Sequence, residues 1–197
     1  MDAIVLKATP YEEDGKILKV FTKELGVLSV IVKKLSRKGS FWQTVTSPLA
    51  RGEFHLIRKQ SDLYTLQDAS LTDAHFEIRN HFDKLEAACS ILRSILTSQY
   101  PEKPSPALYQ LAITYLKKLK TFKESHLLSL SFQMKLLNYE GLFSELKDPA
   151  FSDEDWLTLE CLCHAKQFSL LESLTVSTIL QKQAIELFSS RIAEGGT

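Results

Sequence analysis

Cysteine is scarce in this chain of 197 residues: Cys89, Cys161 and Cys163 stand at no framework spacing, which leaves no disulfide scaffold and points to reduced thiols. Glycine is scarce too, and none of the seven stands in a GxGxxG or GxxxxGK context, so phosphate loops and dinucleotide fingerprints are excluded. There is no G-x-S-x-G elbow and no suggestive pairing of serine with histidine. No apolar run approaches the roughly 18 residues a bilayer crossing needs, and the start MDAIVLKATPYEEDGK lacks the basic and apolar regions of a signal peptide. The expected compartment is the cytoplasm. Net charge is absent as well, since 24 basic side chains balance 24 acidic ones. A hydrophobic fraction of 44% nevertheless allows a real core, in one large domain or two small ones.

The balance hides an asymmetry. Residues 1–70 hold 11 Lys and Arg against 8 Asp and Glu, whereas residues 71–197 hold 13 against 16. Much of the positive charge lies in residues 33–59, where Lys33, Lys34, Arg37, Lys38, Arg51, Arg58 and Lys59 face the single acid Glu53, a surplus of +6. Phe41 and Trp42 interrupt the run. Cations beside aromatic faces suit a phosphate backbone with unpaired bases, the charges releasing counterions and the rings stacking. A solvated loop, kept soluble by its charge, is the competing reading.

Short β-branched runs fill the first third: Ala3–Lys7, Lys16–Thr22, Val27–Val32, Gly52–Arg58 and Leu63–Asp68, separated by turn formers. Five strands in about 70 residues predict a small antiparallel barrel of the OB type. From Leu71 the period becomes helical, with helices expected over Thr72–Ser98, Ala107–Leu119, Phe122–Tyr139, Trp156–Lys166 and Val176–Ile192. The helix Phe122–Tyr139 reads as apolar on one side, and Gly141 ends it. Ser152 followed by Asp153, Glu154 and Asp155 is an acidic helix start. The fold class is α+β: an OB-fold-like barrel over residues 1–72, then an all-α domain over 73–197.

Other clusters carry little chemistry. Cys161-Leu162-Cys163-His164 lacks a second ligand pair and reads as buried thiols rather than a metal site. His75 and His81 read as surface residues near a helix start. Lys117, Lys118, Lys120 and Lys123 crowd a helix junction, either as a solvated helix end or as a basic rim for an acidic partner tail. No catalytic constellation, metal site or cofactor site is expected, and the chain reads as a non-enzyme.

Several of these segments resemble the bacterial DNA repair and recombination protein RecO family. The resemblance is carried by Tyr11-x-Glu13, Lys16-Ile17, Thr22-Lys23-Glu24-Leu25-Gly26, the basic stretch from Lys33 with Arg37 and Ser40, and Pro48-Leu49. It continues through Leu63-x2-Leu66-x2-Ala69 and Phe132-x2-Lys135-Leu136-Leu137-x3-Gly141. The chain departs from the family's usual pattern at Lys34, where the family usually has glycine, and at Ser36, Gly39 and Phe41, which thin the basic run. Where many members carry two C-x2-C pairs, Leu142–Asp155 has no cysteine, so the chain looks like a short, zinc-free member. The resemblance implies a recombination mediator that binds single- and double-stranded DNA and anneals strands. It further implies partnership with RecR, with the tail of single-strand-binding protein and functionally with RecA, at the nucleoid. The alternative is a protein-interaction adaptor whose helical part binds partner tails with little DNA contact.

Overall fold

The apolar run Ala3–Leu6 lies in β1 (Asp2–Tyr11) and is buried on both of its faces. Ala3 and Val5 share a core with Leu18 and Val20 of β2 (Gly15–Thr22) and Leu28 and Val30 of β3 (Gly26–Val32). Ile4 and Leu6, with Phe21 and Val27, belong instead to the core of the helical part. The two-residue period of a strand thus supplies two cores at once. The computed structural model describes residues 1–12, 15–33, 39–58, 63–144 and 146–195.

With β4 (Arg51–Arg58) and β5 (Tyr64–Asp73), the strands close into a barrel in the order β1-β2-β3-β5-β4. All pairings are antiparallel except the short parallel one between β3 and β5. This is the expected OB-like barrel. A helix that periodicity did not predict, α1 (Ser40–Val45), joins β3 to β4. Six residues hold too few internal hydrogen bonds to be stable alone. Burial of Trp42 and Val45 in the barrel core, with Ala50, Phe54 and Tyr64, holds the helix in place.

The helical part departs from the single helix expected over Thr72–Ser98. β5 continues to Asp73, because the chain there still pairs with β4 (Arg51 opposite Asp73), and strand pairing prevails over helical periodicity. Two helices follow, α2 (Phe76–Arg79) and α3 (Phe82–Ser98), separated where His81 is extended. His75 turns the chain in the left-handed region (φ 52°) and is 4% exposed, not at the surface as expected. Next come α4 (Pro106–Leu119), α5 (Ser125–Tyr139), α6 (Asp153–His164), α7 (Phe168–Glu172) and α8 (Thr178–Gly195). α5 is buried nearly all round rather than on one side, and packs against α3, α4, α6 and α8. Some of its polar groups pair inside: Ser131 Oγ donates to Leu162 O (2.7 Å), and Gln133 Nε2 donates to Ser94 Oγ (3.2 Å), while Ser125 Oγ and Gln133 Oε1 are buried without a partner among the described residues.

The segment around α5 explains a motif in physical terms. Phe132 fills the core, and Lys135 Nζ donates to the Cys163 and Ala165 carbonyls (2.8 Å each) at the C-terminal end of α6. Gly141, at φ 72°, closes α5 with the Leu142 amide donating to Leu137 O (2.8 Å) and its own amide to Asn138 O (3.1 Å). Burial pushes the Cys163 thiol up to about 11, and Cys161 is half-buried. Among the described residues no group of three or more His, Cys, Asp and Glu could hold a metal ion.

Two of the fastenings between barrel and helices lie at the start of β1 and at the β2–β3 turn. Arg51 donates from Nε and Nη2 to the two Asp2 oxygens (3.0 and 2.6 Å), beside Tyr109 of α4, whose ring meets Phe21 edge-on at 5.4 Å. Burial opposes ionisation of Asp2, yet the guanidinium outweighs it and holds the carboxyl below its ordinary value. The chain between α3 and α4 lies against the β2–β3 turn, with the Glu102 amide donating to Val27 O (3.0 Å). Gly26, at φ 71°, permits this approach, since a Cβ there would stand 2.0 Å from Lys103 O.

Gly26→Ala is therefore expected to cost about 3 kcal/mol, combining left-handed strain with a backbone clash. Gly141→Ala, at a similar φ with nothing within 4 Å of a Cβ, should cost only about 1 kcal/mol. Urea unfolding of both variants checks the order. Burial also lowers the His75 pKa, against the attraction of Asp73. As pH falls through the unfolded value near 6.5, the unfolded chain binds the proton first, and stability drops. His75→Asn, which tolerates the left-handed turn, should flatten the urea midpoint between pH 7.5 and 5. The loss below about pH 4, from Asp2 and Asp73, should remain.

Candidate nucleic-acid interface

The strand register sets out one outer face of the barrel row by row. Ile4, Phe21 and Val27 lie opposite one another and are covered by the helices. Two residues further along β2 and β3, and three along β1 because of its bulge between Val5 and Lys7, stand Lys19, Ser29 and Lys7 on the same face. Beyond them come Thr9, Ile17 and Ile31, continued through Thr65 to Ile57. Moving away from the helices, an apolar covered row gives way to lysines and then to a partly exposed isoleucine row. Ile57 is 40% exposed, and Tyr11 borders the row at 38%.

Lys7 and Lys19 face each other across the β1–β2 ladder, where like charges repel. Lys19 leans away, its Nζ donating to Ser29 Oγ (2.7 Å). Neither lysine, nor the exposed Lys33 just past β3, meets a carboxylate among the described residues. Lys16 points to the barrel end, donating to Thr46 Oγ1 (3.0 Å). Lys7 and Lys19 escaped the sequence reading, which weighed charge clusters along the chain. The signal was present as lysine at alternate, outward strand positions.

The residues singled out by sequence separate into different environments. Lys34, Arg37, Lys38 and Lys59 lie outside the described residues. Phe41 is 43% exposed on α1, whereas Trp42, next to it, is 8% exposed and joins the barrel core. The two rings meet edge-on at 5.7 Å. Trp42 thus packs inside the barrel, and of the pair it is the Phe41 ring that solvent reaches. Arg51 is engaged by Asp2, as described, and hydrogen bonding to that carboxylate raises its pKa further. Arg58 reaches Glu102 (3.1 Å) and lies 5.5 Å from the Tyr64 ring centre, leaving its outer edge in solvent.

The four lysines of the helix junction are similarly divided. Lys120 bridges Asp73 (2.7 Å) and Glu77 (3.4 Å), tying α4 to the end of β5. Lys118 pairs with Glu172 (3.5 Å) and lies over the Phe122 and Phe168 rings. Lys117 and Lys123 are exposed. Lys123 borders a groove of about 1070 Å³ between α3, α5 and α8, together with Arg93, His126, Ile185 and Phe188. No helix among the described residues is long and apolar enough to cross a membrane.

Comparison with known proteins agrees with this architecture. The family model described as Recombination protein O N terminal matches residues 1–75, and that for the C terminal matches residues 79–178. A protein named DNA repair protein RecO from Caldicellulosiruptor bescii is 31% identical over 140 residues, covering 71% of this chain and 57% of the relative. The protein of that name from Bacillus subtilis is 28% identical, over 74% of this chain and 56% of the relative. One from Chlamydia muridarum is 24% identical along 98% of this chain and 96% of its own length. The chain thus spans little more than half of the first two relatives and nearly all of the third. An OB-like barrel continued by a helical part, matched by both family models, places the chain in the RecO family.

Proposed function

We propose that this chain is a DNA-binding mediator of repair and recombination that works without catalytic residues. The observation that carries the reading is the outer barrel face, where Lys7 and Lys19 oppose each other with no carboxylate among the described residues to neutralise them. A polyanion relieves that repulsion and releases its own counterions in doing so. OB-type barrels use the face of their second and third strands and the adjoining loops for oligonucleotides. Here that face presents Lys19, Ser29, Ile17 and Ile31, with Lys7 beside it and Lys33 at the end of β3. Lys34, Arg37, Lys38, Arg58 and Lys59 extend the positive charge in sequence, and Phe41 is the ring that would stack on a base.

Strand annealing follows from this chemistry without a covalent step. Two strands held on neutralising cations repel each other less, and pairing between their bases then supplies the free energy. Family membership supports the wider reading: cooperation with RecR, engagement of the single-strand-binding protein tail, and loading of RecA at gaps. A partner tail would enter the groove that Lys123 and Arg93 border.

Fluorescence anisotropy with labelled single-stranded DNA tests the core of the proposal. Wild-type affinity should fall steeply between ~50 and ~200 mM salt. Replacing Lys7 and Lys19 by Ala should weaken binding and reduce the slope of log K against log salt by about 1.4, or roughly 0.7 per lost phosphate contact. An unchanged slope would remove the barrel face from the site. The two aromatic residues of α1 should part company. Phe41→Ala should weaken binding at nearly wild-type stability, while Trp42→Ala should cost about 3–5 kcal/mol of folding free energy.

A further inference from the structure

We infer that Arg79, on α2 in the helical part, is a positioning residue for the nucleic-acid face of the barrel. The inference rests on the reading proposed above. Among the described residues, the hydrogen bonds of Arg79 go to none of that face's side chains. Its Nε donates to Ala74 O (2.7 Å), and its Nη2 donates to both Ser47 Oγ (2.9 Å) and Pro48 O (2.5 Å). One planar guanidinium therefore clamps the chain that leaves α1 to the chain that enters α2.

The clamp reaches α1 through a hydroxyl relay. Ser47 Oγ accepts from Arg79 and donates to Thr44 O (2.7 Å), a carbonyl at the C-terminal end of α1. A second relay runs beside it: Lys16 Nζ donates to Thr46 Oγ1, which donates to Trp42 O (2.7 Å). Two cations thus act on the negative end of a helix of six residues that has no acidic residue in its first turn. Leu49, immediately beyond, takes a left-handed turn at φ 73° that a leucine adopts only when its surroundings impose it. The same helix carries exposed Phe41, and the basic segment 33–38 runs directly into it in sequence. Holding the C-terminal end of α1 therefore fixes where Phe41 stands.

The fork geometry decides which substitution can replace Arg79. A lysine keeps the charge but has one nitrogen, which cannot serve Ala74 O on one side and Ser47 with Pro48 on the other. A direct phosphate contact would tolerate that exchange. A positioning role would not.

The experiment measures single-stranded DNA affinity and thermal stability together for wild type, R79K, R79Q and S47A, each with Trp156→Phe so that Trp42 is the only reporter. The expected result is that R79K and R79Q both bind about three- to tenfold more weakly with a shallower salt slope, S47A moving the same way by less. Trp42 emission should shift to the red in the Arg79 variants while the protein remains folded. Wild-type affinity in R79K, or unchanged affinity in R79Q, would overturn the inference while leaving the DNA-binding reading intact. If both Arg79 variants fail to fold, S47A decides: weaker binding supports the role and unchanged binding overturns it. Absence of wild-type binding even at low salt would overturn the reading and the inference with it.

Discussion

Burial of β1 on both faces is the constraint on which the remainder of the molecule depends. Its inward residues close the barrel and its outward ones, Ile4 and Leu6, enter the helical core. Barrel and helices are consequently not two bodies on a linker. Arg51, Asp2 and Tyr109 sit at this junction, and the chain between α3 and α4 lies across the β2–β3 turn, where Gly26 admits its backbone. The same constraint defines the open surface. Helices cover one end of the outer sheet face, so solvent meets the other end, where Lys7 and Lys19 stand.

Period and punctuation in the sequence were enough to place the five strands and the five long helices, because each buries a face through a regular repeat. The features they did not reveal depend on partners distant in the chain. The six residues of α1 are too short for a period, and the helix exists because Trp42 and Val45 enter a core built by other strands. β5 outlasts its apolar run because β4 lies opposite it as far as Asp73. His75 reads as a surface residue at a helix start, but it is buried and marks the place where strand gives way to helix. α5 reads as one-sided because its serines and Gln133 are polar, yet they are buried too, Ser131 and the Gln133 amide nitrogen pairing internally, and the helix is central.

Charge was the least legible property of the candidate site. Counting cations along the chain treats Lys33, Arg51 and Arg58 alike, whereas the fold gives each a different environment. Arg51 neutralises Asp2 at the junction, Arg58 meets Glu102, and Lys33 is left in solvent. Conversely, Lys7 and Lys19 are 12 positions apart and become neighbours only through the β1–β2 pairing. A positive surface arises from which cations lack a carboxylate after folding, and strand register determines that.

The order of synthesis gives the doubly buried strand a further meaning. The barrel segments emerge from the ribosome before α3 and α4 do. Until those helices arrive, Ile4, Leu6, Phe21 and Val27 form an uncovered apolar strip on the nascent chain. Closure of the barrel itself waits for β5, which stands between β3 and β4 and begins about 60 positions after β1, so the earliest compact state is open-edged and sticky. The helical part acts in this sense as a chaperone encoded in the same chain, completing by its arrival a surface that the barrel cannot finish alone.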